Sequence, residues 1–140
     1  MKRFLLPFFT LFLTASSFGQ DSDWKLYSVV DGIEIYTIES DCYATNIPDQ
    51  KAVIIKVVNT TNNDLTVEWD KAIWYNDQLA TENTADEENH YLVKVKKNSS
   101  KEGSCEIPRG PFYIYKDFIT YKTETKLTKF ELQNIKVTRI

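Results

Sequence analysis

Residues 51–75 constrain the fold of this chain more than any other stretch. Residues 51–59 are rich in Val and Ile, and residues 65–75 alternate apolar with polar side chains and carry two Trp. Between them, residues 60–64 consist of Thr, Asn and Asp, which are typical of turns. These three parts predict a β-hairpin. Because an isolated hairpin is only marginally stable in water, other strands must cover its apolar face.

The rest of the sequence supplies such strands. β-branched and aromatic residues alternate with polar ones in short runs, and turn residues, mostly Asn and Asp, recur about every ten residues. The sequence lacks sustained apolar spacings of three and four, which an amphipathic helix requires. Asp31 and Gly32 are typical of a two-residue type I′ turn. The predicted extended segments are residues 24–30, 33–38, 51–59, 65–75, 91–96, 112–115, 118–128 and 130–137.

The alternation of side chains slips within residues 65–75. Trp69 is in phase with the apolar residues before it, whereas Trp74 and Tyr75 follow a different register beyond Asp70. A shift of one residue turns side chains to the opposite face unless an extra residue absorbs it. We therefore predict a bulge or bend near Asp70 and Lys71, with a change of sheet at this point as the alternative.

The first 19 residues have the features of a secretory signal peptide. Lys2 and Arg3 precede the apolar residues 4–13, which are too few for a membrane-spanning helix of about 20 residues. Cleavage after Gly19, with the small Ser17 two positions before it, would leave residues 20–140 as the mature protein. We expect an exported protein, located in the periplasm, on the cell surface or outside the cell, with no membrane span.

The mature chain is long enough for one domain. Removing 19 of the 140 residues leaves 121, and loss of the two basic residues changes the formal net charge from −3 to −5. An acidic domain without a basic run argues against nucleic acid and anionic membrane surfaces as partners.

Two cysteines, Cys42 and Cys105, are predicted to form one disulfide. Exported proteins fold in compartments where disulfides persist. Two distant Cys and one His do not provide the three or four closely spaced ligands that zinc requires, and a Cys-x-x-Cys redox pair is absent from the sequence.

The strand pattern predicts a single all-β sandwich of about seven to nine mostly antiparallel strands. A Val/Ile strand ending in Asn, a short polar turn and an aromatic returning strand in an exported domain resemble immunoglobulin-like sandwiches, among them small secreted bacterial proteins of uncharacterised role. Antibody-type domains place a Trp about a dozen residues after the first Cys and a Tyr two residues before the second. Here those positions hold residues 53–55 and Gly103, so the antibody-type core is not implied.

No constellation of catalytic residues is found in the sequence. His90 is expected to be a surface residue at the start of a strand, and neither a Gly-x-Ser-x-Gly elbow nor a phosphate-binding loop is present. Glu82, Asp86, Glu87 and Glu88 form an acidic loop that could bind calcium, although their spacing differs from an Asp-x-Asp-x-Asp-Gly loop. We expect a solvated loop, a non-catalytic protein and no cofactor.

Aromatic residues are the one candidate binding feature. Trp69 is expected in the core, whereas Trp74 and Tyr75 must point to opposite faces of a strand, so that one of them is a candidate ligand contact. Rings on a sheet can stack on sugars or contact a protein. The further tyrosines of the second half are Tyr113, Tyr115 and Tyr121.

We therefore expect a protein-interaction or structural module, with glycan binding through exposed aromatic side chains as the alternative. A planar row of exposed rings would favour a glycan. An unpaired, apolar sheet edge would favour a protein partner.

The export signal predicts that the protein recovered from its native host begins at or near Gln20. Intact-mass measurement on that protein is the test. A mass that retains residues 1–19 would contradict both the cleavage and the expected localisation.

Overall fold

A computed structural model describes residues 23–81 and 89–140, which form nine β-strands in two antiparallel sheets. The predicted leader and the acidic residues 82–88 lie outside the described residues. The predictions of an all-β sandwich and of one disulfide are confirmed. The strands are β1 (Lys25–Val30), β2 (Ile33–Cys42), β3 (Gln50–Asn59), β4 (Leu65–Tyr75), β5 (Gln78–Leu79), β6 (His90–Val95), β7 (Ser100–Glu102), β8 (Tyr113–Phe118) and β9 (Leu127–Arg139).

The two sheets differ in width. In the first sheet, β1 pairs with β2, β2 with β3, and the far edge of β3 is shared by β7 and β8. In the second sheet, β9 pairs along most of β4, and β5 and β6 share the other edge of β4. Over the described residues, the first sheet is therefore four strands wide and the second three.

The predicted hairpin of residues 51–75 is wrong. β3 and β4 belong to different sheets, and residues 60–64 carry the chain from one sheet to the other. Each of the two strands has pairing partners on both edges, so neither edge is left for the other strand. Their apolar faces pack against each other instead of their edges.

Asn59 fixes this crossing. Its side chain is 1% exposed, and its Nδ2 donates to the carbonyls of Asn63 at 2.8 Å, Val95 at 3.1 Å and Lys96 at 3.2 Å. Its Oδ1 accepts from the backbone N–H of Thr61 at 2.9 Å and from the Thr61 hydroxyl at 2.7 Å. One buried amide therefore joins the end of β3, the crossing segment and the end of β6, and satisfies backbone groups that the turn leaves without partners.

The core lies between the sheets. Trp69 is its largest fully buried side chain, as predicted, and its ring packs 6.2 Å from that of Phe112 and 6.3 Å from that of Tyr91. The other buried members come from both sheets and are Ile33, Ile35, Val53, Ile55, Val57, Leu65, Val67, Val93, Val95, Ile114 and Leu132.

The disulfide lies on the opposite face of the first sheet. Cys42 ends β2 and Cys105 follows β7, with their Cα atoms 5.2 Å apart. Cys42 packs with Ala52, Ile54 and Tyr113 in a second, smaller apolar cluster. Because Ala52 and Ile54 alternate with the core residues of β3, this cluster covers the outer face of that strand.

The bulge predicted near Asp70 exists, but the extra residue belongs to β9. From Glu68 to Asp70, β4 advances by two residues, while the paired segment of β9, from Gln133 to Lys136, advances by three. Asn134 lies within that segment of β9 and has a φ of 53°. The inward face of β4 continues through Lys71, which is buried. The slip in the sequence therefore reflects a lysine at an inward position, and the alternative of a change of sheet is wrong.

The first hairpin forms as predicted, with one difference. Asp31 and Gly32 have φ values of 46° and 82°, as the type I′ turn requires. The alternation predicts Leu26 on the same face as Trp24 and Val30, but Leu26 is 56% exposed. A bulge between Leu26 and Ser28 shifts the register, and the Tyr27 side chain turns toward the core instead.

Replacing Asn59 by Ala should lower the free energy of unfolding by roughly 2–4 kcal/mol, because several buried backbone groups lose their hydrogen-bond partner. Urea denaturation followed by tryptophan fluorescence measures the change. Asn62→Ala is the matched control, since Asn62 lies in the same crossing segment and makes an exposed hydrogen bond. Equal losses in the two variants would contradict the role of Asn59.

Candidate functional site

The predicted contact residues Trp74 and Tyr75 lie on opposite faces of β4, and both are half-buried. The Lys129 ammonium lies 4.6 Å from the centre of the Trp74 ring, directly across the β4–β9 pair. The Tyr75 hydroxyl donates to the carbonyl of Tyr115 at 2.8 Å, and burial raises the pKa of Tyr75 to about 12. The two rings therefore do not form a shared binding face, and the assignment of either as a ligand contact stays a prediction.

A chain of rings continues from Tyr75 through Tyr115 and Phe118 to Tyr121. Successive ring planes are inclined by 44°, 56° and 87°, so these four rings do not form a flat row. Tyr121, at the outer end, is 63% exposed. The geometry resembles the walls of a groove rather than a stacking platform.

A cleft opens on one side of the sandwich, between β2 and β9. β1 pairs with β2 only as far as Thr37, and the cleft opens where that pairing ends. It has a volume of about 700 Å³ and continues into a second recess of about 330 Å³. We call the two together the side cleft, which is lined by Asp23, Trp24, Lys25, Thr37, Ile38, Glu39, Val53, Lys116, Leu127, Thr128, Lys129 and Phe130.

The backbone edge of β9 borders the side cleft. Within the described parts of the chain, β9 has a strand partner on its β4 side only. The backbone N–H of Leu132 donates to the Tyr27 hydroxyl at 2.9 Å, which shows that this residue presents its N–H away from β4. Alternate residues of a strand present their backbone groups to the same edge, so Phe130 also directs its N–H and C=O toward the cleft.

Apolar and charged groups both line the side cleft. Val53 is 3% exposed and forms part of the floor. Glu39 lies on the same face as Val53, its partner in the β2–β3 ladder, and pairs with the Lys116 ammonium at 2.7 Å. The Lys116 hydrogen bond, with the nearby charges of Lys116, Lys25 and Lys51, holds the pKa of Glu39 below its usual value. The cleft therefore offers apolar contacts at its floor and an ion pair beside them.

Lys71 is the residue that sequence reasoning missed. It is 2% exposed, and its Nζ donates to the carbonyls of Gly110 at 2.6 Å and Tyr113 at 2.9 Å. The Nζ also lies 4.6 Å from the centre of the Tyr91 ring. In the described part of the chain no carboxylate pairs with it, and burial lowers its pKa to about 7.

The position of Lys71 fixes its role. It joins β4 in the second sheet to β8 and the segment before it in the first, on the side of the sandwich away from β9. Since the amine is almost fully buried, it cannot reach a substrate. The sequence contained a signal, because Lys71 continues the inward alternation of Val67 and Trp69.

His90 lies at the start of β6, exposed, as predicted. Its Nδ1 is 2.7 Å from Oδ1 of Asp70, and Oδ2 of the same carboxylate accepts from Nδ2 of Asn134 at 2.9 Å. The hydrogen bond from Asn134 is the largest cause that lowers the pKa of Asp70, and the hydrogen bond with His90 is the second. The group therefore braces the bulge between β4 and β9.

Residues 23–81 and 89–140 contain neither a cluster of metal-binding side chains nor a membrane-spanning helix. No group of three or more His, Cys, Asp or Glu side chains in these ranges could hold a metal ion. The same residues contain no helix of sufficient length and apolar character to cross a membrane.

Comparison of the chain with known protein families, characterised proteins and solved structures gives no match.

Lys71 predicts a pH dependence of stability. Its pKa is about 7 in the folded protein and 10.5 ordinarily, so between these values the unfolded state binds a proton that the folded state does not. Stability should therefore rise with pH across this window, by at most about 1.4 kcal/mol per pH unit. Because the pKa of Tyr75 is raised from 10.0 to about 12 in the folded protein, its titration lowers stability above about pH 10. Urea denaturation between about pH 7 and pH 9.5 therefore isolates the effect of Lys71.

Lys71→Met should remove this rise in stability. Lys94→Met, at an exposed position of β6, is the matched control and should retain it. An unchanged pH slope in Lys71→Met would refute the assignment.

Proposed function

We propose that this protein is an exported, non-catalytic interaction module that binds an extended segment of a partner protein in the side cleft. The observation that carries the proposal is the edge of β9 that has no strand partner among the described residues, beside the part of β2 beyond Thr37 with which β1 does not pair. The disulfide is compatible with an oxidising compartment, and the leader supports export to the periplasm, cell surface or extracellular space. The resemblance to immunoglobulin-like sandwiches is part of the same proposal.

The width of the two sheets supports addition of one strand. Among the described residues, β9 has no strand partner on the side away from β4, and one strand added there would bring the second sheet to the width of the first. A peptide that extends β9 would form backbone hydrogen bonds with residues such as Phe130. Its alternate side chains would point toward Val53 and the inner face of β2, while the others would face solvent.

The lining of the cleft selects the partner. Val53, Phe130 and Leu127 provide apolar surface for every second side chain of the peptide. The pair of Lys116 and Glu39, whose side chains are 30% and 70% exposed, provides a donor and an acceptor for a polar side chain nearer the mouth of the cleft. We therefore propose a segment with alternating apolar and polar residues, able to adopt an extended conformation.

Glycan binding through Trp74 and Tyr75 has weaker support. The two side chains lie on opposite faces of β4 and each has an intramolecular partner. A protein partner in the side cleft is the function that the geometry favours.

Selection from a random-peptide display library, followed by NMR of the isotope-labelled protein with the selected peptide, tests the proposal. We expect alternating peptides, and slowed hydrogen exchange of the Phe130 amide in the complex. Thr37→Arg places a charged side chain in the cleft and should weaken binding about tenfold or more. Thr138→Arg is the control on the exposed end of β9 and should have no effect.

Two outcomes would refute the proposal. One is a selected peptide that perturbs amides elsewhere and leaves β9 unchanged. The other is equal binding by Thr37→Arg and the Thr138→Arg control.

A further inference from the structure

We propose that a second site, at the end of the sandwich where β3 begins, binds a neutral sugar ring of an oligosaccharide. The site is a groove of about 450 Å³ lined by Pro48, Gln50, Tyr115, Phe118, Thr123 and Thr125, which we call the end groove. It shares no residue with the side cleft. The inference therefore stands independently of the proposed function.

The rings of the end groove form an angled wall. The centroids of Tyr115 and Phe118 are 5.1 Å apart with planes inclined by 56°, and Tyr121 meets the edge of Phe118 at 6.0 Å. The C–H faces of a pyranose ring pack against aromatic faces, because both surfaces are apolar while the sugar hydroxyls point outward. Two inclined rings can thus contact one face and one edge of a sugar.

Two hydroxyls in the lining are available to a ligand. Among the described residues, neither the Tyr115 hydroxyl nor that of Thr125 has a hydrogen-bond partner, although the groove exposes both residues. By contrast, Gln50 accepts from the Tyr113 hydroxyl at 2.7 Å and donates to the Pro48 carbonyl at 3.2 Å. Free hydroxyls beside ring faces match the pattern of alternating polar and apolar groups on a sugar.

The charge of the lining selects a neutral ligand. None of the six residues that line the end groove carries a charge at neutral pH. The nearby Asp117 carboxylate accepts a hydrogen bond from the Thr123 hydroxyl at 3.3 Å. A phosphate, nucleotide or acidic sugar would find no cation in the lining to compensate its charge, whereas a neutral sugar needs none.

The walls of the end groove are held in place before any ligand binds. The backbone N–H of Ile119 donates to the carbonyl of Asp49 at 2.9 Å, which joins the two loops beside the groove. Asn76 and Lys126 exchange two hydrogen bonds, of 3.0 and 3.1 Å, that fix the far end of residues 119–126. A preformed groove loses less conformational freedom on binding than a flexible one.

An array of neutral and charged oligosaccharides, followed by calorimetry with the best neutral ligand, tests the inference. Tyr115→Phe and Thr125→Val each remove one free hydroxyl and keep the shape of the side chain, so the fold is retained. Each should weaken binding by roughly five- to tenfold, the effect of one lost hydrogen bond. Tyr121→Ala should also weaken binding, because it removes the ring that packs against Phe118 from outside the groove.

Tyr43→Ala is the matched control, since Tyr43 and Tyr121 are each 63% exposed, but among the described residues Tyr121 packs on the Phe118 ring whereas Tyr43 makes no ring contact. Its affinity should equal that of the unaltered protein. Binding of charged oligosaccharides alone, binding of proline-rich peptides in this groove instead of sugars, or equal affinity in all variants would overturn the inference. Thr37→Arg, which blocks the side cleft, should leave sugar binding unchanged and so separates the two proposals.

Discussion

The buried amide of Asn59 is the interaction on which the sandwich depends. It holds the point where the chain leaves one sheet and enters the other, and thereby sets β3 and β4 face to face. The core forms between these two central strands, and every other described strand except β1, which pairs with β2, is added to one of their edges. If β3 and β4 were paired edge to edge instead, their apolar faces would lie on one surface with no second layer to cover it.

Alternation, turn residues and cysteines predicted most of the local structure. The type I′ turn at Asp31 and Gly32, the bond between Cys42 and Cys105 and the core position of Trp69 all follow from such local signals. The partners of each strand could not be predicted in this way. Side-chain alternation reports which face of a strand is buried, whereas pairing is made by backbone groups that are the same in every residue. The hairpin prediction failed for this reason.

The candidate sites were harder to predict than the strands. The side cleft lies where the pairing of β1 with β2 ends, and the extent of pairing cannot be read from side-chain alternation. Lys71 was not predicted to be buried, although its position in the alternation places it on the inward face. Trp74 and Tyr75 were correctly placed on opposite faces, but the partners that cover them, Lys129 and Tyr115, come from distant parts of the chain.

The contact between Tyr27 and Leu132 has a consequence for folding. It joins two residues 105 positions apart, so closing this side of the sandwich requires almost the whole described chain to be ordered first. Contacts of such long range form late, and segments held by few of them open locally at a low cost in free energy. Fraying of β1 away from β9 would enlarge the side cleft at the cost of the contact between the Tyr27 and Phe130 rings. Access to the cleft can therefore be governed by local unfolding of the first strand.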